Sequence, residues 1–323
     1  MDIQSLLRRW EIFSHFSDEQ LEQLAPCLSI PTFELGDDIF EDRSEGRSAF
    51  LIHEGAVRIH RATPYGFYAL ADLGPGDLFG ETSFVDGETR SGAARAEAPT
   101  TLVSFDFDRI SELSHDQRLG VALYWSFWRS LARKLRTTND RLTQFFTAAA
   151  STSTETPAAK NDSSADFHMD LAAKRAIFQE QKLSNMEINF LASLSKEVKA
   201  GPGQGIFKEG DAGDRMYVVL EGRVMISKYI PGAGEEALAF LERGDYFGEM
   251  ALIDNQPRSA DAKASTEGAV MLAIPREVLE GLLDMHRISS HRLLSLLCNL
   301  IAKRLRELNE KLVTWYIFAG GGE

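Results

Sequence analysis

The 323 residues are enough for two ordinary domains, and 44% hydrophobic with 26% charged residues is the balance of a globular chain. A net charge of −13 argues against nucleic acid as the main partner, because phosphate backbones demand a basic footprint. No run of about 20 apolar residues occurs, so no transmembrane span and no channel is expected, and the acid-bearing stretch from Met1 to Glu22, which lacks an apolar core, predicts no secretory signal.

Cys27 and Cys298 are the two cysteines. Far apart and set among apolar residues, they predict core thiols in a reducing, cytoplasmic setting rather than a disulfide or a metal site.

Residues 2–25 read as short helices. Ile3, Leu6, Leu7 and Trp10 mark an apolar stripe, and Ser17-Asp18-Glu19-Gln20 offers a helix start before Leu21 and Leu24. From Phe33 to Phe105 short apolar runs are punctuated by Gly and Pro, the signature of a small antiparallel barrel or roll. A long helix is predicted over 116–145. Its stripe of Tyr124, Trp128, Leu131, Leu135, Thr138, Leu142 and Phe145 could face its own barrel or a partner helix. Residues 147–165 are rich in Ala, Ser and Thr, with Pro157 and no aromatic residue, so they predict a flexible linker.

Then the pattern starts again. Residues 166–194 read as helical, with Ser184 as a cap, and strands are expected over 198–274. Ile39-Phe40 aligns with Ile206-Phe207 and Glu54-Gly55 with Glu221-Gly222 at an offset of 167, while Glu81 aligns with Glu249 at 168. One residue has therefore been gained in a hairpin between. A closing helix over 287–316 carries Leu294, Leu297, Ile301, Leu305, Leu308 and Leu312, and it sets Asn309 opposite Asn139. Trp315 and Tyr316 could cover a bound base or close the core, and the glycines of 320–323 predict a disordered tail. The domain division is 1–146, linker 147–165, 166–319 and tail 320–323.

The most informative stretch occurs twice. Phe247-Gly248-Glu249-Met250-Ala251 leads through a short apolar turn to Pro257-Arg258-Ser259-Ala260, and Phe79-Gly80-Glu81-Thr82-Ser83 leads to Thr89-Arg90-Ser91-Gly92. Glu and Arg stand nine residues apart both times. A glycine turn opening a helix presents unpaired amides to an anion, and one arginine adds a fork of donors and the neutralising charge. A glutamate would repel a phosphate unless it accepts a bond from a neighbouring sugar hydroxyl. A 3′,5′-cyclic nucleotide has both features.

These residues resemble the phosphate-binding cassette of the cyclic-nucleotide-binding domain family, which includes protein kinase A regulatory subunits and bacterial catabolite activator proteins. The resemblance implies an α+β fold: two tandem cyclic-nucleotide-binding domains, each a β-roll, or jelly-roll-like barrel, flanked by helices with a long C-terminal helix. It gives Glu81 and Glu249 to the ribose hydroxyl and Arg90 and Arg258 to the cyclic phosphate. The backbone of Gly80, Thr82, Ser83, Phe247, Gly248, Met250, Ala251 and Ala260 completes the cradles, and the Ser91 and Ser259 hydroxyls can join the phosphate. Residues 132–139 resemble the central helix of the activator proteins, which puts Thr138 and Asn139, and by the repeat Asn309, at positions facing the base.

In the second copy the cassette is closer to the family pattern. In the first, Arg43 replaces the turn glycine found at Gly210, Ser83 replaces Ala251, and Thr89 replaces Pro257. No nucleophile and base set, kinase motif or metal cluster is visible. The expected function is that of a non-enzymatic tandem sensor, bacterial and without cofactor, that binds cyclic AMP in preference to cyclic GMP. It would change conformation, regulate an effector protein and form a homo-oligomer through its long helices. The alternative is a structural or assembly protein of degenerate domains that needs no nucleotide.

Overall fold

In the computed structural model, which describes residues 3–113, 117–149, 170–180, 183, 185–230, 234–282 and 290–321, short alternating strands and long striped helices segregate as the α+β reading requires. The first repeat opens with the helices Ile3–Leu7 and Asp18–Leu24. The second of these starts at a capping box, in which the Ser17 hydroxyl accepts from the Gln20 amide and the Gln20 side chain accepts from the Ser17 amide.

Two antiparallel sheets then form a roll. One orders Leu28–Ser29, Thr100–Phe105, Ala49–Glu54 and Leu78–Phe79, with Thr32–Phe33 also on Thr100–Phe105. The other orders Asp38–Phe40, Ala93–Ala96, Val57–Thr63 and Gly66–Leu73. Phe50, Ile52, Val57, Phe79, Ala94 and Leu102 fill the space within.

The second repeat builds the same roll from longer strands. Arg215–Ile230 pairs with Asp261–Pro275 through eleven registered partners, and Lys196–Ala200, Gly205–Phe207, Gly234–Leu241 and Tyr246–Phe247 flank them. Register shifts at Val219/Glu221 and Gly222/Val224 bend these strands, as bulges do. The gained residue can be located. Two residues separate Thr63 from Gly66, whereas three, 231–233, separate Ile230 from Gly234. The insertion is in the hairpin turn, whose residues lie outside the described ones.

The long helices are Gln117–Ala149 and Ser290–Phe318. The first runs past the expected end at 145 because Ala148 and Ala149 are strong helix formers. Of the linker expected over 147–165, residues 147–149 are the end of this helix and 150–165 lie outside the described residues, as does the cap at Ser184. Trp128, Leu131, Leu135 and Leu142, like Leu294, Leu297, Ile301, Leu305, Leu308 and Leu312, are buried within the single chain. Cys27 and Cys298 are also buried, and no disulfide joins them. No described helix is long and apolar enough to cross a membrane.

The chain divides into two compact units that do not follow its order. One comprises Met1–Leu131 and Ile301–Glu323, the other Ala132–Leu300. Each long helix therefore starts in the unit of its own roll and ends in the unit of the other roll.

Candidate functional site

In the first unit, strand Leu78–Phe79 delivers the chain to Gly80, which adopts φ +73° and caps the short helix Glu81–Asp86. In the second unit Gly248 adopts φ +75° between Tyr246–Phe247 and Met250–Ile253. Only glycine fits either place. A Cβ at Gly80 would lie 2.8 Å from Arg90 Nη1, and one at Gly248 would lie 2.7 Å from Arg258 Nη1. The glycine of the motif thus makes room for the arginine ten residues on.

Both arginines are buried, at 4% and 5% exposure. Arg90 Nη1 donates to the Gly80 carbonyl at 3.1 Å. Arg258 donates to the Gly248 carbonyl at 2.5 Å and to the Arg215 carbonyl at 2.7 Å. The backbones of both are pinned alike: Arg43 N–H donates to Arg90 O and Arg90 N–H to Ser44 O, as Gly210 does to Arg258 and Arg258 to Asp211. Arg43 keeps a left-handed φ of 60° where the second repeat has Gly210 at 87°. The replacement seen in the sequence leaves the turn intact.

Beneath each guanidinium lies a cluster of three aromatic rings. Arg90 sits 4.2 Å above Phe40, which packs with the stacked pair Phe50 and Phe79. Arg258 sits 4.3 Å above Phe207, which packs with the stacked pair Tyr217 and Phe247. Ring faces attract a cation, but they do not neutralise it. Among the described residues neither arginine has a carboxylate within ion-pair distance, and the Nε of each is buried without a hydrogen-bond partner.

Burial accordingly pushes Arg90 down to about 10, against the opposing pull of Glu81 and with a further push from Arg306. Burial lowers Arg258 too, opposed by Tyr217, Asp214 and Glu249. Withdrawing such a charge from water costs on the order of several kcal/mol, a cost that an opposite charge placed beside it would offset.

The glutamates stand beside them. Glu81 is 0% exposed and Glu249 2% exposed, both in the opening turn of the cassette. Glu81 accepts a bond from the Ser130 hydroxyl at 3.0 Å. The repeat puts Leu300, which has no hydroxyl, at the matching helix position.

Thr82, Ser83, Met250 and Ala251 are buried in their cassette helices. Ser83 Oγ turns to the Thr89 carbonyl at 3.3 Å and accepts from Arg306 at 3.3 Å. Ser91 and Ser259 are half-buried beyond the arginines, and the Ser259 hydroxyl lies 3.8 Å from Met250 Sδ. Ala260 is buried.

The helix residues fall in unexpected company. Thr138 and Asn139 are buried in the second unit, where the Thr138 hydroxyl bonds back to the Lys134 carbonyl at 2.8 Å. Asn309 is half-buried in the first unit. Trp315 and Tyr316 also belong to the first unit, and Tyr316 packs against Tyr65 and Tyr68 of its hairpin. Tyr316 thus braces the hairpin of the first roll.

Sequence reading missed a further set. Arg306 makes a two-toothed contact with Asp86, at 2.7 and 3.0 Å, and donates to the Thr89 carbonyl at 2.8 Å. Arg136 does the same to Asp254, at 2.9 and 3.1 Å, and to the Pro257 carbonyl at 2.9 Å. On the rolls, buried Arg61 pairs with Glu310 and Asp42, and buried Lys228 with Asp140 and Glu209. The matching offsets, 170 along the helices and 167 or 168 along the rolls, were present in the sequence. Which helix serves which roll was not. Among the described residues no group of three or more His, Cys, Asp or Glu could hold a metal ion.

Comparison with known proteins follows the same lines. The family profile described as cyclic nucleotide-binding domain matches residues 31–117 and 197–286, together more than half of the chain. The chain is similar to a cGMP-dependent protein kinase of Eimeria tenella, 24% identical over 84% of this chain and 22% of the kinase. It is also similar to a CRP-like cAMP-activated global transcriptional regulator of Mycobacterium tuberculosis, 30% identical over 44% of this chain and 61% of the regulator. The chain thus spans less than two thirds of either relative. Among solved structures, the regulatory domain of Toxoplasma gondii PKA with cAMP aligns over 91% of this chain and 94% of its own, at 19% identity and a TM-score of 0.32.

Proposed function

Because the chain belongs to the cyclic nucleotide-binding domain family through both of its repeats, we propose that it is a non-enzymatic tandem sensor of cyclic nucleotide, cyclic AMP in preference to cyclic GMP, that regulates an effector protein. One observation carries this reading. Each repeat buries an arginine that lacks a carboxylate partner among the described residues, holds its Nε without a bond, and sets a buried glutamate close by. A cyclic phosphate supplies the single negative charge, and the adjoining ribose supplies the hydroxyl that a glutamate can accept.

In this reading Arg90 and Arg258 take the phosphate, with the amides of Gly80, Thr82 and Ser83 or of Gly248, Met250 and Ala251 and the hydroxyls of Ser91 and Ser259. Glu81 and Glu249 take the ribose hydroxyl. Thr138 and Asn139 serve the base in the second pocket, and Asn309 serves it in the first. Binding tightens the cassette and biases the long helices between two arrangements by differential affinity, which is all that a ligand can contribute to such a shift. The sequential division into 1–146, 147–165 and 166–319 describes the duplicated units, and the cytoplasm is the proposed location. A homo-oligomer through the long helices would use faces other than Trp128, Leu131, Leu135 and Leu142 or Leu294, Leu297, Ile301, Leu305, Leu308 and Leu312, which are buried within one chain.

The test is isothermal titration calorimetry of nucleotide-free protein with cyclic AMP and then cyclic GMP. Two binding events for one nucleotide are expected, and Arg90→Ala and Arg258→Ala should each remove one of them. If neither nucleotide binds, the sensor reading is wrong and the assembly reading replaces it.

A further inference from the structure

The cassettes are the local product of fourteen contiguous residues, yet each is finished by a side chain from far away. Asp254 follows the second cassette helix as its C-cap. Its carboxylate accepts the Gln256 amide at 3.0 Å, which shapes the turn leading to Arg258. Arg136 then grips both Asp254 oxygens and the carbonyl of Pro257, the residue just before Arg258. In the first unit, Asp86 ends the helix and accepts the Glu88 amide at 3.0 Å. Arg306 grips Asp86 and the carbonyl of Thr89, the residue just before Arg90.

We propose that Arg136 and Arg306 are positioning residues for the two pockets: each is carried on the long helix that follows the other repeat, and each holds the closing loop of a cassette so that its phosphate arginine is correctly aimed. The inference rests on the cyclic-nucleotide reading above. Three facts support it beyond an ordinary surface ion pair.

The first is geometry. A planar guanidinium bound to both oxygens of one carboxylate and to a neighbouring carbonyl has little freedom, and Arg306 and Asp86 are only 20% and 11% exposed. The second is duplication. Acceptor types and relative positions agree in both units although Pro257 replaces Thr89, because the bond goes to the backbone carbonyl, which every residue has. The third is anchoring. One turn further along each helix, Asp140 meets Lys228 and Glu310 meets Arg61, both buried basic residues on the rolls. The helix end is thus held at two points, and the arginine stays in register with its loop. Arg306 also adds positive charge near Arg90, whose guanidinium feels it.

The consequence runs against the order of the sequence. Substituting Arg136, which lies in the first repeat, should weaken the second pocket, and substituting Arg306 should weaken the first.

The experiment uses the full chain and cyclic AMP. In an Arg90→Ala background, which isolates the second pocket, Arg136→Gln and Asp254→Asn should each raise the Kd about tenfold, the size expected for losing a bond to a charged group. The double variant should be no worse than either single one. Arg136→Lys, which keeps the charge but loses the fork, should fall between wild type and Gln. In an Arg258→Ala background, Arg306→Gln should weaken the first pocket and Arg136→Gln should leave it alone.

A lowered melting temperature with unchanged Kd makes the pair a structural brace and overturns the proposal. So does Arg136→Gln weakening the first pocket instead of the second. If the unmodified chain binds no cyclic nucleotide, the underlying reading fails and the proposal falls with it. Failure of the clamp alone leaves wild-type binding intact, so the two are told apart.

Discussion

Gly248→Ala tests the linked roles of glycine and arginine most directly. The backbone there has φ +75°, and an L-residue in that region costs about 1–2 kcal/mol. The new methyl would also stand 2.7 Å from Arg258 Nη1 and 3.4 Å from the Arg215 carbonyl. The guanidinium cannot retreat freely. It is held by two carbonyls and the Phe207 ring, and its backbone is held by Gly210 and Asp211.

The methyl must therefore break the 2.5 Å bond from Arg258 to the Gly248 carbonyl, and a hydrogen bond from a charged donor is worth about 1.5–3 kcal/mol. The backbone term lowers stability only. The guanidinium term also misdirects the group proposed to hold phosphate, so affinity should fall by about tenfold or more. Gly234→Ala is the control: Gly234 has φ +87°, and a Cβ there would meet nothing within 4 Å. Chemical denaturation should show a loss of stability in both variants, while calorimetry in an Arg90→Ala background should show a loss of affinity in Gly248→Ala alone. Equal affinities in the two variants would refute the reasoning, because backbone strain would then be the whole effect.

Other outcomes follow from the same contacts. Arg43→Gly should raise stability by about 1 kcal/mol, since a left-handed φ of 60° suits glycine better than arginine; a thermal melt reads this as a rise of a few degrees. Burial holds the His15 imidazole below its ordinary value, although its Nε2 donates to the Ala122 carbonyl, and His291 is lowered by burial as well. For a folded-state value below the unfolded one, the unfolded chain binds protons first. Stability should therefore be full above about pH 6.5 and fall as pH drops from there through the folded values; His15→Asn should flatten part of that fall in pH-dependent denaturation.

The parts legible in the sequence are those that depend on neighbours in the chain. The capping box at Ser17, the glycine turn at Gly248 and the nine-residue step from Glu249 to Arg258 are local, so residue types announce them. The aromatic cluster was half visible: Ile39-Phe40 aligned with Ile206-Phe207, and Phe79 and Phe247 open the cassettes, but that Phe50 and Tyr217 join them under an arginine is a matter of sheet pairing. Least visible was the partnership of Arg136 with Asp254 and of Arg306 with Asp86. These pairs are 118 and 220 residues apart, and the two helices echo each other so closely that either could have served either roll. Periodicity states which face of a helix is buried, not against what.

The division of the chain also has a consequence for how the protein is made. The second unit consists of one continuous stretch, Ala132–Leu300, whereas the first needs Met1–Leu131 and Ile301–Glu323 together. On the ribosome the first roll emerges early and then waits for its closing helix through the roughly 170 residues between, about 10–35 s at ordinary rates of elongation. During that interval Arg61 lacks Glu310 and the loop before Arg90 lacks Arg306. The unit that begins first is finished last, and a nascent chain is a second-repeat protein before it is a two-repeat one.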